Sequence, residues 1–184
     1  METNRLKLIP YKKEDLGEYH ILMSSAPVWA YSTHDPHDQI SQSELKLTKA
    51  ITDYENNGFG FQALYEKESN RFIGEAGVLS FSQAANRCVV GYNLLPCFWG
   101  QGYATEITKR LVAYAFDVLQ VERIEALVQK DNVASCRVLE KSGFKREGVL
   151  RNFSKNKDVY LDVCYYGMIS SDFVKEDING GETQ

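Results

Sequence analysis

The chain is poor in the features that would narrow its chemistry at once. Its four cysteines, Cys88, Cys97, Cys136 and Cys164, are far apart and form no C-x-x-C pair. That argues against a redox motif, and their apolar or helical contexts suggest buried, reduced thiols. No stretch approaches the roughly 18 apolar residues of a membrane helix, and "METNRLKLIPYKKED" at the start lacks the apolar segment of a signal peptide, so a cytoplasmic location is expected. Lysine and arginine are scattered without a basic block and the net charge is −4, which excludes a nucleic-acid surface as the main partner. Neither a repeat nor a linker is visible. One domain over 1–184 is expected, with a polar tail from about Val174; a homo-oligomer is compatible with this.

What is present suits a globular protein. Hydrophobic residues make up 43% of the 184 and charged residues 25%, enough for a chain of this size to bury roughly 70% of its unfolded surface. "RLKLIPY" alternates as a first strand ended by Pro10, and "KKEDLGEYHILM" puts Leu16, Tyr19, His20 and Met23 at helical spacing, with His20 on the apolar face. Ala26 to Gln39 follow as loop or short irregular helix. Ser41 and Glu44 form a candidate capping box for a helix whose face is Leu47, Ala50, Ile51 and Tyr54, closed by "NNG". Phe59 to Glu66, Arg71 to Phe81 and Cys88 to Leu95 predict an antiparallel meander with turns at "KESN" and "SQAAN". Ala104, Ile107, Leu111, Tyr114, Ala115 and Val118 share a helical face. "ERIEALVQ" predicts a strand parallel to the one before that helix. "NVASCRVLEKSGF" predicts a short helix ended by Gly143, and "KREGVLRNF" with "DVYLDVCYYGMI" a last hairpin.

The stretch "CFWGQGYATE" raises the functional question. Gly100 and Gly102 stand directly before the Ala104–Val118 helical face, on a loop leaving the end of a strand. A helix start carries unpaired N–H groups and about half a positive charge, so a glycine-rich entry lets a phosphate or diphosphate reach them. The competing reading is a tight turn with no ligand. The Lys-Ser/Thr ending of a P-loop is missing, and the loop follows the fourth strand instead of opening the chain as a dinucleotide fingerprint does.

Together, "GYNLLPCFWGQGYATEITKRLVAYAF" and "RIEALVQKDNVASCRVLEKSGFKREGVLR" resemble the GNAT (Gcn5-related N-acetyltransferase) family, in its branch of ribosomal-protein N-terminal acetyltransferases of the RimJ/RimL type. The likeness is densest from about Arg71 to Arg151. It implies an α/β fold with a mixed sheet, mostly antiparallel, with a splayed parallel strand pair flanked by helices. It implies acetyl-CoA as cosubstrate and direct transfer of the acetyl group to a primary amine, without an acyl-enzyme. The backbone of Gln101, Gly102, Tyr103, Ala104 and Thr105 would cradle the CoA diphosphate, with Trp99 replacing the usual polar residue at little cost. Leu94 and Leu95 would pair with pantetheine, Asn132 would bond the cofactor arm, and Ser135 would stand near the thioester sulfur as a proton donor. For the last two, helix capping by Asn132 with Ser135 as a first-turn residue is the competing reading.

The base is where the likeness departs. Related sequences carry Glu in an "Ala-Glu-Ile-Gly-Tyr" strand, where this chain has Val89. Glu75 and Asp162 are the candidate substitutes, each equally readable as a solvated or salt-bridged acid. An α-amine, with a pKa of about 7.8, is roughly a quarter neutral near pH 7.4; a lysine is neutral in about one molecule per thousand, a gap on the order of 4 kcal/mol. A weak base therefore points to a protein N-terminus as acceptor. The alternatives are a small-molecule amine or antibiotic acetyltransferase and a CoA-binding protein without catalysis. "THDPHDQ" offers His34, Asp35, His37 and Asp38, but a proline-containing loop holds ligands poorly and no metal is expected. Trp29, Tyr31 and Tyr92 are candidates to line the acceptor cleft.

Overall fold

A computed structural model of the protein describes residues 1–156 and 158–174. Seven strands, β1 (Leu6–Ile9), β2 (Gly60–Glu66), β3 (Phe72–Ser82), β4 (Arg87–Leu94), β5 (Arg123–Gln129), β6 (Lys145–Asn156) and β7 (Val159–Ile169), form one sheet in the order β1-β2-β3-β4-β5-β7-β6. Every neighbouring pair is antiparallel except β4 with β5, which is parallel. Among the described residues the α-helices are α1 (Leu16–Met23), α2 (Ala26–Trp29), α3 (Ile40–Asn57), α4 (Tyr103–Asp117) and α5 (Val133–Lys141).

Helices cover both faces. Leu64, Ile73, Ala76 and Val90 pack against Ile107, Leu111 and Ala115 of α4 and Leu139 of α5. Ala63, Tyr65 and Phe72 pack against Tyr19, Leu22, Trp29 and Leu47 of the first three helices. This two-sided cover explains why β3 opens with seven consecutive buried residues instead of alternating. Asn70 and Asn86, which end the two meander turns, take left-handed φ of 55° and 46°, a conformation asparagine tolerates better than most residues.

The expected strands and helices are all present, and five local details differ. Helix α3 begins at Ile40, and the side chain of Gln42, not a Ser41–Glu44 box, accepts the N–H groups of Asp38 and Gln39 at 2.9 and 3.0 Å. Val118 ends α4 exposed to solvent. Cys88 and Cys164 are buried, but Cys97 is exposed and Cys136 only half-buried. His20 is half-buried, with Nδ1 at 2.8 Å from the Ser43 hydroxyl. Trp29 is a core residue whose indole N–H donates to the Leu22 carbonyl at 3.0 Å. Most of the tail expected from Val174 lies outside the described residues.

Candidate active site

The parallel pair β4/β5 is joined at one end only. Arg87, Cys88 and Val89 stand opposite Arg123, Ile124 and Glu125, and beyond Val89 the strands part. Charge fastens the joined end. The Glu125 carboxylate, buried, meets Arg87 on one side and Arg123 Nε at 2.9 Å on the other. Arg123 reaches on across β7 to Glu147 of β6. It passes over Gly167, where a Cβ would stand 2.5 Å from both Arg123 Nη2 and Glu147 Oε1. Burial alone would raise the Glu125 pKa; hydrogen bonds from Tyr165 and Arg123 and the charge of both arginines outweigh it and hold the group ionised. Glu125 is thus a locked ion in the register position opposite Val89, and a poor base.

At the parted end β4 has a free edge. The Leu95 N–H donates to the Ile73 carbonyl at 2.9 Å, so the peptide groups of Leu95 and Asn93 face β3 while those of Leu94 and Tyr92 face the gap. Leu95 is therefore not an edge residue: its amide is used and its side chain packs on both cores. The Leu94 carbonyl accepts the Trp99 indole N–H at 2.7 Å, a role for Trp99 that the sequence pattern did not reveal.

The gap opens into a cleft of about 480 Å³. Leu94, Gly102, Tyr103, Ala104, Thr105, Asn132 and Ser135 all line it, joined by Tyr31, Tyr92, Asn93 and Trp99. Gly102 caps α4 with φ +83° and no side chain, and Gly100 before it has φ +74°. The Gly102 carbonyl already accepts the Glu106 N–H at 3.0 Å, while the amides of Tyr103, Ala104 and Thr105 start the helix without a side-chain cap. Gln101 is exposed outside the lining, its carbonyl turned to Arg5 Nη1 at 3.0 Å.

Both candidate residues at the α5 start line the cleft. Asn132 is the N-cap, its Oδ1 accepting the Ser135 N–H at 3.1 Å, which leaves its NH₂ free to face the cleft. The Ser135 hydroxyl lies 3.0 Å from the Tyr92 hydroxyl, whose pKa burial raises, so a neutral O–H pair sits where the edge strand meets α5. Arg137 and Lys141, one turn apart on the same helix, add positive charge to the wall.

The two substitute carboxylates part company. Glu75 is only 2% exposed and does not line the cleft. It lies directly behind Asn93, whose Nδ2 donates to Oε1 at 2.8 Å, while Tyr11 donates to Oε2 at 3.2 Å. Burial pushes its pKa up to about 7, with the Asn93 bond, the Lys46 charge and the Tyr11 bond pulling the other way. Asp162 lies apart from the cleft, beside a shallow hollow along β6, accepting the Asn152 N–H at 3.0 Å and facing Lys130 at 3.8 Å. Of the aromatic candidates, Tyr31 and Tyr92 line the cleft and Trp29 does not.

Residues 5–145 match the family described as Acetyltransferase (GNAT) domain. The chain belongs to the GNAT acetyltransferases. Among its GNAT relatives, the uncharacterized N-acetyltransferase p20 of Bacillus licheniformis is 30% identical over 93% of this chain and 96% of its own length. The spermidine N(1)-acetyltransferase of Escherichia coli is 27% identical over 80% of this chain and 77% of its own, and the putative ribosomal N-acetyltransferase YdaF of Bacillus subtilis 24% over 80% of each. Two solved GNAT structures share the fold. They are a spermidine N-acetyltransferase from Vibrio cholerae in complex with CoA and spermine (TM-score 0.80, 20% identity, 92% and 98% covered) and a ribosomal-protein-S5-alanine acetyltransferase from Vibrio fischeri (0.81, 17%, 95% and 98%).

Proposed function

We propose that this GNAT protein transfers the acetyl group of acetyl-CoA to the N-terminal α-amine of a protein or peptide. The observation that carries the proposal is a single cleft combining a free strand edge, an uncapped helix start and a hydroxyl pair. The open amides of Gly102 to Thr105 suit a diphosphate, and the Tyr92 peptide groups and the Leu94 N–H suit the amides of a pantetheine arm. Arg137 and Lys141 suit a further phosphate. Bound acetyl-CoA supplies the activated thioester carbonyl.

The remaining chemistry belongs to the chain. The Tyr92–Ser135 pair holds an O–H at the point where a leaving thiolate needs a proton. Glu75 is the proton sink, screened from the cleft by the Asn93 amide and reached when that amide rotates or water enters. At about 7, its pKa lies within roughly one unit of an α-amine but more than three below a lysine or polyamine, so proton transfer from the latter is uphill by more than 4 kcal/mol.

Spermidine is the acceptor named for two of the relatives, and the lining argues against it here. No Asp or Glu lines the described cleft, whereas Arg137 and Lys141 do, and a polycation gains nothing from such a wall. The test is CoA release from acetyl-CoA with a panel of free-N-terminal peptides, N-blocked lysine peptides and spermidine. Free N-termini should show a kcat/KM at least about tenfold above the others; faster turnover of spermidine or blocked lysine peptides sinks the acceptor assignment.

A further inference from the structure

The backbone of the glycine loop is held from behind by a residue far away in sequence. Arg5, at the entry to β1, spans three consecutive loop residues. Its Nη1 donates to the Gln101 carbonyl at 3.0 Å, its Nη2 stands 3.4 Å from where a Cβ on Gly102 would be, and its guanidinium carbon lies 4.4 Å from the centre of the Tyr103 ring. The guanidinium is in turn fixed by Glu106 in the first turn of α4, with Nε and Nη2 both 2.6 Å from Oε2. Thr3 donates to the other Glu106 oxygen at 2.6 Å, and the Arg5 N–H adds a bond at 3.0 Å. None of this lines the cleft except through the loop itself.

We propose that Arg5 is a positioning residue that locks the Gln101–Gly102 peptide with its N–H turned to the cleft. In a planar trans peptide the C=O and N–H point in opposite directions. Holding the Gln101 oxygen on the Arg5 side therefore aims the Gly102 hydrogen away from Arg5, toward the cleft. Without the lock this peptide is easy to flip, because Gly102 takes positive and negative φ about equally well. A flip would put a carbonyl oxygen, not a donor, against an anion. The same pairing neutralises Glu106, an acid one turn from a site meant for negative charge. This rests on the reading that the loop holds the CoA diphosphate.

The test compares CoA with pantetheine, which lacks the diphosphate, as ligands of the purified full-length protein, with binding followed by Trp99 fluorescence or calorimetry. For Arg5→Gln we expect the Kd for CoA to rise about tenfold or more, the size of one charge-assisted hydrogen bond, while the Kd for pantetheine stays within about twofold. The KM for acetyl-CoA should rise in step, with kcat at saturation changed by less than about threefold. Arg5→Lys keeps the charge but cannot bridge Gln101 and Glu106, so it should fall between; if Arg5→Gln does not fold, a CoA-specific rise of about threefold or more in Arg5→Lys supports the lock and an unchanged CoA-to-pantetheine ratio overturns it. Unchanged CoA affinity in Arg5→Gln, or equal weakening of both ligands, also overturns it. A wild-type protein that fails to prefer CoA over pantetheine sinks the diphosphate reading and the lock with it; a preference kept intact in the variants sinks only the lock.

Discussion

Two buried carboxylates on one face of the sheet have their pKa values shifted in opposite directions. Glu125, at the joined end of β4 and β5, is clasped by Arg87 and Arg123 and stays ionised. Glu75, beside the parted end, has Asn93 and Tyr11 as its hydrogen-bond partners among the described residues, and burial lifts its pKa to about 7. Similar burial with different partners yields a structural ion in one place and a titratable group in the other, because desolvation dominates only where no opposite charge makes close contact. The joined end keeps the strands together, and that lets the parted end stay open without the sheet unravelling.

The sharpest way to break this contrast is Glu75→Gln, which keeps the shape and lets the amide bond both Asn93 and Tyr11. The unfolded carboxyl releases its proton near pH 4.5 and the folded one near pH 7. Wild-type stability is thus highest relative to the variant below pH 4.5 and falls as pH rises through this window. Urea unfolding should show the variant gaining up to about 3 kcal/mol over wild type between pH 4 and pH 8, and the acid limb of kcat/KM should lose its Glu75 ionisation near pH 7 and keep only that of the acceptor amine near about 7.8. A pH-independent difference would place Glu75 with the locked acids.

Glu125→Ala should act with the opposite sign. Removing the carboxylate takes the shared partner from Arg87 and Arg123 at the strand junction and leaves Arg123 its bridge to Glu147, at about 2 kcal/mol at neutral pH, discounted because both arginines are partly exposed. The loss should shrink at high salt, which urea unfolding at two ionic strengths would read. The smallest effect is expected for Gly167→Ala. Its Cβ would push aside only the flexible ends of Arg123 and Glu147, so the bridge across β7 should break at under about 1 kcal/mol. A loss as large as that of Glu125→Ala would mean that the network depends on its outermost pair.

Legibility in the sequence followed the range of the forces. The glycine pair before α4, the Asn132 cap and the asparagine-ended turns were readable because each conformation is decided by neighbours a few residues away. The edge of β4 was readable only to within one residue. Leu94 lines the cleft, but its second edge partner is Tyr92 and not Leu95, because hydrogen-bond direction alternates along a strand and a shift of one reverses it. Glu75 was indistinguishable from a solvated acid until Tyr11, Lys46 and Asn93 surrounded it. The Arg5 contact with Glu106 spans 101 residues and left no local trace.

By itself the sequence determined the order of strands and helices, the family and the loop whose amides stand open, since turn chemistry and apolar periodicity act over one or two turns of chain. Only the tertiary structure decided which carboxylate stays charged, which peptide groups face the gap and what holds the glycine loop from behind. These depend on desolvation and on contacts between segments tens of residues apart, and neither exists until the sheet has formed.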